Sequence, residues 1–307
     1  MKKICVIGAI NMDVYLEVES SPENGETTVA LESSKAHGGK GSNAAIAMRK
    51  LEADTQYFGC VGDDAHGMEL INNLKDMGID VSNMSVKENV PTGTAYIILE
   101  KNGDNRIIAA PGGNQSITRE EIRENCYEMI KESDIVLIQL EISREGILEI
   151  LEICRELDKK LVLDAGPSKG WSPEDFKGVY LVSPNETELS DLIGKKVTNR
   201  DEIIKGAQEL LNAGVENVLV KLGREGSIFI NNDEIIEQES YQVNTLDTTA
   251  AGDSYMAGFS KGLMDGLTIE ESMDLGSKCG AVTVTRLGAA PSLPSLEDLE
   301  NFDKFLI

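Results

Sequence analysis

The chain has 307 residues, 41% of them hydrophobic and 27% charged, with a formal net charge of −24 at pH 7. That length can bury a large core, and the composition is that of a globular protein. An acidic balance of this size repels phosphate backbones and anionic membranes, so neither nucleic acid nor a membrane is expected as a partner. An anionic ligand would need local compensation from lysine, arginine, a metal ion or the amides of a helix N-terminus.

The chain opens with two charges, Lys2 and Lys3, ahead of a short apolar run at 4–9. A secretory signal needs a longer apolar stretch and a cleavage site, so this run reads as a buried first strand. Residues 42–51 have helical spacing, with Ala45, Ile46 and Met48 on the apolar side. A strand is expected at 55–60 and a helix at 65–77. Thr118-Arg119-Glu120-Glu121 is a capping-box signature. Ile122, Cys126, Met129 and Ile130 follow it at i, i+4, i+7 and i+8, which is helix spacing. Further strands are expected at 135–140, 161–164, 179–182 and 218–222, with helices between them. This alternation predicts an α/β fold of three layers, a mainly parallel sheet with helices on both faces.

Two stretches break the rhythm. Residues 13–36 carry β-rich pieces near 14–18 and 27–31, joined by Pro22-Glu23-Asn24-Gly25. Residues 94–99 and 106–110 flank Asn102-Gly103-Asp104, a hairpin signal. We read them as a small second sheet, drawn from about 13–36 and 93–110, that projects from one domain spanning 1–307.

Five cysteines (Cys5, Cys60, Cys126, Cys154 and Cys279) include no C-x-x-C pair. Free buried thiols in a reducing, cytoplasmic setting are expected. No apolar stretch approaches the roughly 20 residues of a membrane span. With only His37 and His66, a structural zinc site is not expected. His37 reads as a hinge residue, His66 as surface and Trp171 as a packing anchor.

Two segments carry chemistry. Gly38-Gly39-Lys40-Gly41-Ser42-Asn43 stands between β-like sequence and a helix, where glycine lets the backbone approach a ligand. It is not a phosphate-binding loop of the G-x-x-x-x-G-K-[ST] type, because Ser34 and Gly41 occupy the diagnostic positions. Nor is it G-x-G-x-x-G, which weakens a dinucleotide oxidoreductase reading. Asp247-Thr248-Thr249-Ala250-Ala251-Gly252-Asp253 leads small residues directly into a helix. The amides of Ala250, Ala251, Gly252 and Asp253 can form an anion hole there. Asp253 itself has two readings, a first-turn helix acid or a general base beside that hole.

Taken together, these motifs resemble the ribokinase-like (PfkB) carbohydrate kinases. The first signature is matched by Gly38–Asn43 with Ala44-Ala45-Ile46-Ala47, the second by Asp247–Phe259. The likeness extends in order through Gly8–Asp13, Phe58–Asp64, Thr92-Gly93, Pro111–Asn114, Gln139–Glu141, Pro184–Glu188, Leu222-Gly223 and Thr285–Ala289. The resemblance implies a ribokinase-like fold with a β-sheet lid and ATP-dependent phosphorylation of a sugar hydroxyl, ribose first. Nucleosides, deoxyribose and ketohexoses stay open, as does a non-catalytic sugar sensor.

The resemblance also implies residue roles. Asp253 would be the catalytic base, and Asn11, Asp13, Gly39, Lys40, Asn43 and Glu141 would hold the sugar. ATP would lie near Lys221, Leu222, Gly223, Arg224, Glu225, Gly226 and Gly252. Asn185 and Glu188 would orient Mg2+ and its waters, although N-x-x-E is equally a helix cap. Asp247, Thr249, Thr283, Arg286, Gly288 and Ser292 match a monovalent-cation site, with K+ expected. A homodimer through the lid is the implied assembly. The chain departs from the pattern at Ala44, at Asp164-Ala165-Gly166-Pro167, at Gly112 and at Ser254-Tyr255-Met256.

Overall fold

The computed structural model describes residues 2–101 and 104–307, without the side chain of Asn105. β1 (Lys3–Ile7) is followed by β2 (Asn11–Val18), β3 (Glu32–Gly38) and α1 (Lys40–Lys50). Next come β4 (Asp54–Phe58), β5 (Cys60–Gly62), α2 (Ala65–Asp76) and β6 (Ser85–Lys87), then β7 (Thr94–Glu100) and β8 (Asn105–Ala110). The middle of the chain alternates through α3 (Arg119–Glu132), β9 (Ile135–Gln139), α4 (Arg144–Glu156) and β10 (Leu161–Asp164). It continues with β11 (Leu181–Ser183), α5 (Glu186–Ile193), α6 (Arg200–Asn212) and β12 (Asn217–Lys221). β13 (Ser227–Ile230) and β14 (Ile235–Gln238) precede α7 (Ala251–Asp265), α8 (Ile269–Val284) and α9 (Leu296–Glu300).

Eight strands form the main sheet in the order β14-β13-β12-β11-β10-β9-β1-β4. It is parallel from β12 to β4, and β13 and β14 add an antiparallel edge. All five residues of β9 are buried, as expected of a strand covered on both faces. The pleat sends its side chains alternately into two cores. Val136 and Ile138 pack with residues of α3, α4, α5 and α6. Ile135 and Leu137 pack with residues of α1, α2, α7 and α8. The chain steps from β1 to β4 on one side, then returns to place β9, β10, β11 and β12 on the other. Ligands of open α/β sheets bind at such a switch, beyond the carboxyl ends of the strands.

The small sheet has the order β3-β2-β7-β8. Residues 27–31 are not a strand. β2 ends at Val18, the paired register starts at Glu17 with Glu32, and only Leu31 adds one more bond, its amide donating to the Glu17 carbonyl at 2.7 Å. Val29 and Leu31 are accordingly exposed. Polar β3 becomes a strand because β2 lies beside it. β7 and β8 pair antiparallel up to Leu99 with Asn105, while the Asn102-Gly103 turn lies outside the described residues.

Three further differences have local causes. The strand expected at 55–60 breaks at Gly59, and its second part pairs with β6 in a separate two-stranded sheet. α1 starts at Lys40, two residues before the apolar spacing begins. β13 and β14 were not anticipated. The five cysteines are buried and free. Trp171 stacks on Phe176 at 5.6 Å beneath Arg144. Among the described residues, no helix is long and apolar enough to cross a membrane.

Candidate active site

The carboxyl ends of neighbouring parallel strands deliver one residue after another to the crevice. Gly8 to Asn11 follow β1, Glu141 follows β9, Asp164 ends β10, Asn185 follows β11 and Lys221 ends β12. Gly39 lies across them at φ 98°, the left-handed region. A Cβ at Gly39 would stand 2.6 Å from the Ala9 carbonyl oxygen and 2.7 Å from Ile10 Cα. Close backbone approach, as well as φ, therefore requires glycine. The turn delivers Lys40 and Asn43 on the first turn of α1.

Asp253 lies on the first turn of α7 and is 5% exposed. Its Oδ2 accepts from Asn43 Nδ2 at 2.9 Å, and its Oδ1 stands 3.4 Å from Lys40 Nζ. Lys40 Nζ also lies 3.6 Å from Asp164 Oδ2. Lys221 Nζ bonds to Asp164 Oδ1 and donates to the Ser183 carbonyl at 3.1 Å. Asp253, aided by Asp164, Glu141 and Glu188, holds the Lys40 ammonium well above its ordinary range against the opposing effect of partial burial. Burial pushes the Asp164 carboxyl up, but Lys221 and Lys40 outweigh it and leave it below its ordinary value.

The start of α7 is open. Ala250 caps it in the left-handed conformation at φ 60°, with no side-chain cap. The Ala251 amide donates to the Thr248 carbonyl at 3.2 Å, so that member of the expected anion hole is already engaged. Among the described residues, the amides of Ala250, Gly252 and Asp253 meet no protein acceptor. A Cβ at Gly252 would meet nothing within 4 Å.

Beside this helix start lies a cavity of about 470 Å³, lined by Lys221, Gly223, Arg224, Gly226, Ala251 and Gly252, and by residues of 240–245 and α8. Leu222 and Glu225 do not line it. They form the turn, with the Leu222 amide donating to Gly226 and the Glu225 amide to Leu222. The far wall includes Ile307, whose amide donates to the Gln242 carbonyl at 3.2 Å. Phe302 braces this wall edge-on against Tyr241 at 4.6 Å. Sequence reasoning missed this tail, because its only signal was a few apolar residues far from any motif.

On the opposite side are Asn11, Asp13 and Glu141. Asn114 fixes Asn11, donating to its Oδ1 at 2.8 Å while holding both backbone groups of Ile10. Asp13 stands over Gly38, where a Cβ would lie 2.5 Å from its Cγ. Burial pushes the Asp13 carboxyl up to about 6. Burial likewise pushes Glu141 up to about 7, against the pull of Lys40, whose amide donates to it at 3.3 Å. Asn114 and Asp164 both lie in segments compared with the family pattern, but neither was given a role by sequence.

Asn185 and Glu188 form a reciprocal capping box at α5, at 2.9 Å and 2.8 Å. Oε2 of Glu188 is used by the cap, while Oε1 faces Gly166. A Cβ at Gly166 would lie 3.4 Å from Lys40 Cε, so Glu188 reaches the edge of the lysine cluster.

Of the six residues of the expected cation site, Thr283 lies at the end of α8 and the other five lie on two adjoining loops. Asp247 ties them together, accepting from the Thr249 amide and hydroxyl and from the Gly288 amide. Arg286 turns away to Asp298, Ser292 bonds to Ala289, and Thr283 bonds to Ser254 and Cys279. Their side chains are thus internally engaged, leaving main-chain carbonyls as possible cation ligands. Among the described residues, no group of three or more His, Cys, Asp or Glu could hold a metal. His37 and His66 sit away from these clusters, anchoring β3 to α2 through Glu69 and Lys35 respectively.

The model of the pfkB family carbohydrate kinases matches residues 1–296. A ribokinase from Staphylococcus aureus is 33% identical over 299 residues, 97% of this chain and 98% of that one. The solved structure of Arabidopsis thaliana ribokinase complexed with ribose and ATP matches with a TM-score of 0.94 at 31% identity, covering 99% of this chain and 100% of the other. A Thermotoga maritima ribokinase matches with a TM-score of 0.89 at 35% identity, with the same coverage.

Proposed function

The chain belongs to the pfkB family of carbohydrate kinases, and we propose that it transfers the γ-phosphoryl group of MgATP to the primary hydroxyl of D-ribose, giving D-ribose 5-phosphate. One observation carries the reading. Asp253 is a buried carboxylate held by Asn43 and Lys40, at a helix start with unengaged amides, where Gly252 lines the cavity. The near-full-length ribokinase relatives support the choice of ribose.

Asp253 accepts the proton of the attacking hydroxyl. The amides of Ala250, Gly252 and Asp253, with the helix dipole, stabilise charge on the transferring phosphoryl. Lys40 supplies a mobile positive charge in an acidic protein. Asn11, Asp13, Gly39, Lys40, Asn43 and Glu141 surround the sugar. A site with this many buried polar groups rejects an analogue lacking a hydroxyl, because its own groups would go unpaired. Lys221, Gly223, Arg224, Gly226 and Gly252 bound the nucleotide, with Leu222 and Glu225 shaping the turn.

Magnesium, which neutralises phosphate charge, binds mainly through phosphate and water, so a sparse protein ligand set fits it. Glu188 Oε1, with Asn185 as its brace, is the group that would orient those waters. K+ would bind the carbonyls of the loops that Asp247 joins, near Thr249, Thr283, Arg286, Gly288 and Ser292. The small sheet acts as a lid within one domain spanning 1–307, excluding water during transfer. Its outer strand β8 exposes Ile107 and Ile108, and a second copy covering them would give a homodimer. The five free thiols suit a cytoplasmic setting.

ADP release, followed with ribose, other pentoses, ketohexoses and nucleosides in Mg2+ and K+, tests the reading. Ribose should give the highest kcat/KM. Release with none of them rejects the kinase, and a nucleoside or ketohexose preference replaces ribose.

A further inference from the structure

We propose that Asp164 is a positioning residue: paired with Lys221, it holds the Lys40 ammonium between two carboxylates, ready to move onto the transferring phosphoryl. The inference rests on the kinase reading and adds to it a residue that the motifs do not assign.

Asp164 is 1% exposed at the end of β10. A carboxylate removed that far from water persists as an anion only with partners. Its Oδ1 has the Lys221 ammonium, itself pinned by the Ser183 carbonyl. Its Oδ2 is buried without a hydrogen bond, and Lys40 Nζ stands 3.6 Å away. Lys40 is therefore 3.4 Å from Asp253 and 3.6 Å from Asp164, a long contact on each side. Attraction keeps the ammonium in place, yet no short bond must break when it leaves. The Lys40 side chain keeps 31% of its surface exposed, so it has room to move.

Lys221 sets the balance. Unneutralised, Asp164 would draw Lys40 away from Asp253 and from the start of α7. Fully neutralised, it would leave Lys40 to pair tightly with Asp253, occupying the base. Sharing Asp164 between two lysines avoids both outcomes. It also links the nucleotide cavity, which Lys221 lines, to the lysine that meets the phosphoryl.

Asp164→Asn keeps the side-chain shape and removes the charge. We expect kcat to fall about 10²-fold, with both KM values within about 3-fold of the parent. In a Lys40→Met background the same substitution should have almost no further effect, because Asp164 acts through Lys40. An unchanged kcat, or an equal loss in both backgrounds, overturns the proposal. If orphaned Lys221 unfolds the variant, Asp164→Asn/Lys221→Met removes both members of the buried pair and is compared with Lys221→Met alone. The same dependence on Lys40 is expected there, and its absence again overturns the proposal. Ribose-dependent ADP release by the unmodified enzyme is the control. Its failure rejects the kinase reading, whereas activity with additive losses rejects only this role.

Discussion

Asp253 and Asp164 face one half of the crevice, and Asp13 and Glu141 face the other. The first two lie within 3.6 Å of an ammonium group, and the lysines hold Asp164 below its ordinary value. Burial governs the second two instead, lifting Asp13 to about 6 and Glu141 to about 7. The same functional group is thus prepared for two tasks. Beside lysines, a carboxylate keeps its charge and can take a proton or steer a cation. Without enough compensation it titrates closer to neutral pH, and hydroxyl donors then favour its ionised form.

The largest expected effect breaks the charged half. Asp253→Asn should lower kcat with ribose by about 10⁴-fold while the protein still binds both substrates. A loss under tenfold would remove Asp253 as the base. Lys40→Met should cost about 10³-fold in kcat. A rise in ribose KM with kcat intact would move Lys40 to the sugar-binding half of the comparison.

Gly252→Ala probes the nucleotide side of the charged half. A Cβ there has free space in the protein alone, so melting temperature should hold while kcat/KM falls about 10²-fold through misplacement of the phosphates. Unchanged kinetics would separate this helix start from the phosphoryl path.

Asp13→Asn should act on the other half. Ribose KM is expected to rise about 10-fold, with kcat and ATP KM nearly constant. A kcat effect as large as that of Lys40→Met would erase the distinction drawn here.

The smallest effect is one of pH. Asp13 and Glu141 have folded values raised above their ordinary 3.8 and 4.5. The folded state therefore holds protons that the unfolded chain has released. Their contribution to stability is complete at low pH and is lost as pH rises from about 4 to about 7. Sugar hydroxyls that donate to the ionised forms recover part of that loss. The thermal shift given by ribose should be about 2 °C larger at about pH 8 than at about pH 5. Asp13→Asn should narrow the difference, and a larger shift at the acidic pH would contradict the assignment.

Where structure depends on neighbouring residues, the amino-acid order was readable. The Thr118–Glu121 capping box forms as expected, with bonds of 3.2 Å and 2.7 Å. The apolar runs at 135–140 and 161–164 became buried parallel strands. The glycines before Lys40 and the small residues before Asp253 marked the two turns that meet in the charged half of the crevice. The run at 27–31 had strand composition but no partner beyond one bond from Leu31, while polar β3 had a partner and became a strand. Asn114 and Asp164 carried no role in the sequence, and the wall around Ile307 gave no signal, because their meaning lies in contacts made across the fold.

The sequence by itself determined the helices and parallel strands of the main sheet, which follow from periodicity and capping, and its resemblance to a family marked the residues able to do phosphoryl chemistry. Tertiary structure alone decided which of them meet. Lys40 and Asp253 are 213 residues apart in the chain and 3.4 Å apart in space. Burial and charge at such a meeting depend on every strand between them, and no local pattern encodes that sum.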